Sequence, residues 1–197
     1  MLGNRGEQVK SRLKRTFCIS LKQLIILFLL IVVIGAGVFW AVQRINAHKL
    51  WMSQLYYAQR VRLHLNTVSI LLNGSLQTDL TSQKWFFTEL TYAYGPITEL
   101  KRLDSGHQIF LMKIEGMVMA LDDYGILGLN STRRSTLAET VHEVGLKLVT
   151  AYGNFLNFTS ANEVTGPQFW YLGPSPPDEA VLAEAAELAV NVTAEIS

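Results

Sequence analysis

Nineteen consecutive positions, residues 24–42, are apolar or glycine, with no charge, amide or proline between Leu24 and Val42. At about 1.5 Å of rise per residue, a helix of that length covers roughly 28 Å, close to the hydrocarbon thickness of a bilayer. Cleaved signal sequences carry shorter apolar cores, about 7 to 15 residues, and end in a small-x-small site. This run ends instead in Phe39, Trp40, Ala41, Val42 and Gln43, so it is expected to remain as a transmembrane helix over 23–43.

No proline or glycine occurs between Val38 and Asn73, so the membrane helix is expected to continue into an amphipathic one. Ala47, Trp51, Ala58, Val61, Leu65, Val68 and Leu72 recur in steps of three and four, with Gln54 filling the missing place and Leu55 beside it. This spacing draws one apolar stripe that other helices must cover. Arg44, Lys49, Arg60 and Arg62 are expected on the opposite face, and Asn73, Gly74 and Ser75 supply a stop.

Thr78, Asp79 or Thr81 can cap a second helix, which carries Leu80, Trp85, Phe86, Leu90 and Tyr94 and is expected to break at Gly95 and Pro96. A short helix then follows through Leu100 and Leu103, and Asp104, Ser105 and Gly106 make a turn. Residues 107–121 form the next helix, where Ile109, Phe110, Met112, Met117, Val118 and Leu121 leave only Lys113 and Glu115 to solvent. A helix apolar around so much of its circumference is expected in the middle of a bundle.

After a polar connection over 122–134, Leu137, Val141, Val144, Leu148, Ala151 and Phe155 predict a long helix from Ser135, with Ser135 or Thr136 and Glu139 as a capping box. Residues 157–174 are irregular. Ser175, Pro176, Pro177 and Asp178 open a last helix, whose inner face is Leu182, Ala185, Leu188 or Ala189, Val192 and Ile196.

Charge orients this arrangement. The formal net charge is only +1, yet Arg5, Lys10, Arg12, Lys14, Arg15 and Lys22 precede the apolar run against Glu7 alone. Beyond Lys147 the charged residues are all acidic: Glu163, Asp178, Glu179, Glu184, Glu187 and Glu195. The positive-inside rule therefore assigns 1–22 to a basic cytoplasmic leader and 44–197 to an extracytoplasmic bundle domain in the cell membrane. Cys18 is the only cysteine and precedes the span, so the outer domain has no internal disulfide and must stand on packing.

Candidate chemistry is sparse. Four Asn-x-Ser/Thr triplets, at Asn73, Asn130, Asn157 and Asn191, lie beyond the span as N-glycan acceptors. Glu139, His142 and Glu143 sit on adjacent turns, but a zinc motif needs a second histidine at 146, which is leucine. Asp122 and Asp123 offer too few oxygens for a cation. Phe169, Trp170, Tyr171 and Leu172, bracketed by Gly166–Pro167 and Gly173–Pro174, place large side chains on a loop, where Phe169, Trp170 and Tyr171 are candidates for a partner or membrane-interface contact.

The expected fold is all-α: a single amino-terminal transmembrane helix continuing into an antiparallel bundle of about four to five helices. The expected function is a non-catalytic, membrane-anchored interaction or accessory subunit of a membrane or cell-surface complex. Its expected partners are the lipid bilayer, other membrane or cell-surface proteins and, through the membrane helix, a second copy of the chain. No nucleic acid, cofactor or metal is expected. One alternative is a ligand-sensing bundle, because the layout resembles the outer helical domains of chemoreceptors and sensor kinases, although no motif carries that resemblance. A further alternative is a pilin-like filament subunit. Pilins also begin with a membrane helix running on into an amphipathic one, but here no Gly or Ala precedes the run with a Glu five residues on.

Overall fold

The computed structural model describes residues 21–74, 79–153 and 176–196. Among these residues the chain is all-α, with five helices and no strand: α1 (Leu21–Asn73), α2 (Leu80–Leu103), α3 (Gln108–Leu121), α4 (Ser131–Gly153) and α5 (Glu179–Ile196). Two 3₁₀ turns, Ser105–His107 and Tyr124–Gly128, lie on either side of α3. The chain divides into two compact units, Met1–Ile45 and Asn46–Ser197, and α1 contributes to both.

The second unit is a helical ring. Gln54 of α1 donates from Nε2 to the Leu103 carbonyl at 3.1 Å, while His64 meets Glu89 at 2.7 Å, so α1 and α2 run antiparallel. Trp51 donates from Nε1 to the Tyr152 carbonyl at 2.9 Å, and Arg62 lies against Gly145, so α1 and α4 are antiparallel too. Lys101 pairs with Glu115 across α2 and α3. Lys147 pairs with Glu184 at 2.6 Å across α4 and α5, a bond that holds its ammonium above its ordinary pKa. The Asp178 amide bonds the Ala151 carbonyl at 2.9 Å, tying the start of α5 to the end of α4. Contact between α3 and α5 closes the ring. Five helices in a closed ring cannot all alternate in direction, and among the described helices α3 with α5 is the parallel pair.

The core stripe of α1 begins at Trp51 rather than Ala47, which is exposed, and then follows the expected places through Gln54, Ala58, Val61, Leu65, Val68 and Leu72. Each fully buried Val or Leu contributes roughly 1.5–3 kcal/mol relative to exposure. α4 approaches α1 so closely at Gly145 that an added Cβ would lie 3.3 Å from the Arg62 Cα.

Four expectations are corrected. Pro96 does not break its helix, because α2 runs through it from Leu80 to Leu103. Its buried face is Phe86, Leu90, Ala93, Ile97 and Leu100, a stripe whose three- and four-residue steps cross Pro96 without a phase shift, while Leu80, Trp85 and Tyr94 are exposed. Packing of that stripe outweighs the cost of an interior proline, about 3 kcal/mol. In α3, Glu115 is buried and paired with Lys101 instead of solvated, and one face of the helix, with Ile109 and Met112, stands in solvent. α4 starts a turn before Ser135: the Asn130 Oδ1 accepts from the Arg133 amide at 2.9 Å, which displaces the proposed capping box. Finally, Pro176 and Pro177 precede α5 instead of opening it: the helix starts at Glu179, and Asp178 meets its first free amides, at 3.1 Å to Ala180 and 3.2 Å to Val181; Ser175, like Phe155, lies outside the described residues. For α2 the cap is Asp79, whose carboxylate accepts from the Ser82 hydroxyl and from the amides of Thr81 and Ser82. Those bonds hold it below the usual carboxylate range, the Ser82 hydroxyl contributing most.

Candidate interaction surfaces

In the first unit, Leu24, Val42 and the apolar residues between them, apart from the half-buried Ala41, are exposed all round the helix. An 18-residue window here has a mean hydropathy of 3.0, and none of it is buried by the rest of the chain. The helix satisfies its own backbone hydrogen bonds, as a lipid-embedded segment must. Among the described residues this is the one helix long and apolar enough to cross a membrane. Just past the apolar run the Arg44 guanidinium lies over the Trp40 ring at 5.0 Å.

The glycan acceptors separate by position. Asn73 is exposed at the carboxyl end of α1, and Asn130 is exposed while its side chain caps α4. Asn191 is exposed along α5. Asn157 and the aromatic trio Phe169, Trp170 and Tyr171 lie outside the described residues. Glu139 and Glu143 are exposed on α4, with Glu143 3.7 Å from Lys147. No group of three metal-ligating side chains occurs among the described residues.

A groove of about 790 Å³ opens between α1 and α2, lined by Tyr56, Tyr57, Arg60, His64, Glu89 and Tyr92, among others. His64 is buried at its floor with Nδ1 2.7 Å from the Glu89 carboxylate, and its ring lies 5.8 Å from Tyr92. Its Nε2 has no hydrogen-bond partner. Arg60 donates to the Tyr56 hydroxyl at 3.0 Å and also lies over that ring, 5.8 Å from its centroid.

A second polar cluster sits where α2 ends. Asp104, only 6% exposed, accepts from the Tyr152 hydroxyl at 2.6 Å, and His107 Nδ1 lies 2.9 Å from both of its oxygens. Burial, then the bond to Asp104, raises the Tyr152 phenol far above its ordinary pKa. Both carboxylate oxygens are engaged by the fold itself, so the cluster ties the α2–α3 turn to the end of α4 and holds no obvious place for a reactant. Sequence reasoning missed both clusters. Neither Asp104 with Tyr152 nor His64 with Glu89 shares a local spacing, and only the packing of separate helices brings them together.

The outer face of α3 carries an apolar stripe beside the exposed Lys113. Ile109, Met112 and Met119 are 72%, 58% and 55% exposed, with Gly116 between them. Their steps of three, four and three draw one stripe, and methionine adapts its shape to varied partners.

No family model matches this chain, and searches of curated proteins and of solved structures likewise return no match.

Proposed function

We propose that this chain is a single-pass, membrane-anchored helical interaction subunit, non-catalytic, with its basic leader in the cytoplasm and its bundle outside the cell membrane. The observation that carries the reading is the stripe of Ile109, Met112 and Met119, a water-facing apolar face on a domain whose core is already filled. The uncovered apolar helix at 24–42 supplies the anchor, and lipid is its natural cover. The charge asymmetry supports the orientation. Asn73 and Asn130, exposed at helix ends, are the acceptors we propose for glycan where the host modifies asparagine.

A photo-crosslinking amino acid at Met112, compared with one at Glu187, tests the reading in intact membranes. The expected result is a specific adduct with another membrane or cell-surface protein from Met112 and none from Glu187. Equal, unspecific labelling from both positions would overturn it, as would recovery of the chain in the soluble fraction after cell breakage.

The groove between α1 and α2 favours a second reading, a ligand-sensing bundle, because His64, whose Nε2 has no hydrogen-bond partner, lines it together with four tyrosines. The groove is open rather than enclosed, which ranks this reading second.

A further inference from the structure

We propose that the outward face of α1 is a parallel pairing seam for a second copy of this chain. Met52, Tyr56, Gln59, Leu63, Asn66 and Ile70 follow one another in steps of four, three, four, three and four. This is a second heptad ladder, on the side of α1 opposite the stripe that builds the core. Its apolar members are 39% (Met52), 51% (Tyr56), 61% (Leu63) and 63% (Ile70) exposed. A lone surface helix needs one apolar face, and α1 carries two.

The chemistry of the seam selects its occupant. None of its six positions is charged, and α1 contains no acidic residue from Leu21 to Asn73. The seam therefore offers no charge code by which a different protein would be chosen. It offers two amides instead, Gln59 and Asn66. An amide carries both donors and an acceptor, so it is complementary to itself. A parallel, in-register pair sets Gln59 against Gln59 and Asn66 against Asn66, the kind of polar pairing that specifies strand number and register in coiled coils. Of the basic residues beside the seam, Arg60 is folded onto the hydroxyl and ring of Tyr56, a seam member, and the stem of Arg62 lies toward Gly145 of α4. By heptad register the positions facing them in a pair are 55, where Leu55 is held in the bundle core, and Thr67, so the arginines of the two copies do not oppose each other.

The proposal rests on the anchored reading in one respect. Two copies inserted in the same membrane with the same orientation are already parallel and at one depth, and confinement raises their effective concentration, so a modest interface suffices.

The test uses the full chain in membranes with Cys18→Ser, carrying single cysteines at Tyr56, Leu63 or Ile70, or at the control positions Glu139 and Glu187, exposed on α4 and α5. Mild oxidation is expected to give a disulfide-linked dimer from the three seam positions and only monomer from the controls. Leu63→Asp with Ile70→Asp, checked for an intact helical spectrum by circular dichroism, is expected to halve the mass measured by light scattering in detergent. The proposal is overturned if seam and control cysteines cross-link alike. It is equally overturned if a seam cysteine links to a different protein, or if the double variant keeps the mass of the wild type. Carbonate extraction of the same membranes reports the anchor separately: release of the chain would refute the anchored reading, while seam-specific cross-links in the released protein would still uphold the pairing.

Discussion

The phenol of Tyr152, on α4, donates to the carboxylate of Asp104, just past α2, at 2.6 Å, across 48 residues of sequence and out of reach of water. Removing the donor leaves a buried carboxylate short of one bond, which costs about 1–3 kcal/mol. Tyr152→Phe should therefore lower the midpoint of urea unfolding while leaving the helical spectrum unchanged. The pair also fixes a pH dependence. In the fold the phenol's pKa is raised, so its stabilisation is complete below about pH 10, where the unfolded chain's tyrosine titrates, and declines as pH rises beyond that toward the folded value. Unfolding measured from pH 8 to 11.5 should show a decline approaching 1.4 kcal/mol per pH unit in the wild type, and a shallower one in Tyr152→Phe.

Two helical glycines separate packing from propensity. A Cβ at Gly116 of α3 meets nothing within 4 Å, so Gly116→Ala should stabilise by up to about 1 kcal/mol through helix propensity alone. The same change at Gly145 drives a methyl group to 3.3 Å from the Arg62 backbone, and the strain should consume that gain. Gly145→Val, with two further carbons in the same space, should destabilise by about 1–3 kcal/mol. Thermal unfolding of the three variants checks the order: Gly116→Ala highest, Gly145→Ala near wild type, Gly145→Val lowest.

The core faces of three helices were legible in the sequence from their three- and four-residue steps. Val61, Leu65 and Val68 in α1, Val141, Val144 and Leu148 in α4, and Leu182, Ala185 and Val192 in α5 sit where their spacing puts them. The pattern failed on α3, because an apolar residue count does not tell a core-facing side chain from one that faces outward. Leu111 and Ile114 are buried there while Ile109 and Met112 are not. Helix starts slipped by up to a turn, since Asn130 and Asp178 compete as caps with nearby serines and threonines of nearly equal capping strength. The candidate surfaces were less legible still. The groove at His64 and the α3 stripe exist only once neighbouring helices have chosen which faces to cover.

The ion pairs of α2 differ in what supports them. Lys101 and Glu115 join two helices with the carboxylate nearly buried, whereas Arg102 and Glu99 lie one turn apart on an exposed surface, 2.8 Å between atoms. Exposed pairs contribute little, about 0–1 kcal/mol, while stripping the partner from a buried carboxylate costs several times that. Lys101→Ala should thus destabilise by about 1–3 kcal/mol and Arg102→Ala by less than about 0.5 kcal/mol. A larger effect from Arg102 than from Lys101 in denaturant titration would reverse the assignment.

Pro96 offers the sharpest test of why α2 is one helix. An interior proline lacks the amide that would bond the carbonyl of Tyr92, four residues back, and its ring crowds that carbonyl. The helix persists because Ala93, Ile97 and Leu100 continue the buried stripe begun by Phe86 and Leu90, and because Gln54 of α1 bonds the Leu103 carbonyl at the far end. On this account packing sustains the residues beyond Pro96 against local preference. Pro96→Ala should then raise stability by about 1–3 kcal/mol, and amide exchange should slow across 97–103. Ile97→Ala should do the opposite, costing about 2–5 kcal/mol and speeding exchange in that segment first, because it removes the contact that carries the helix past the proline.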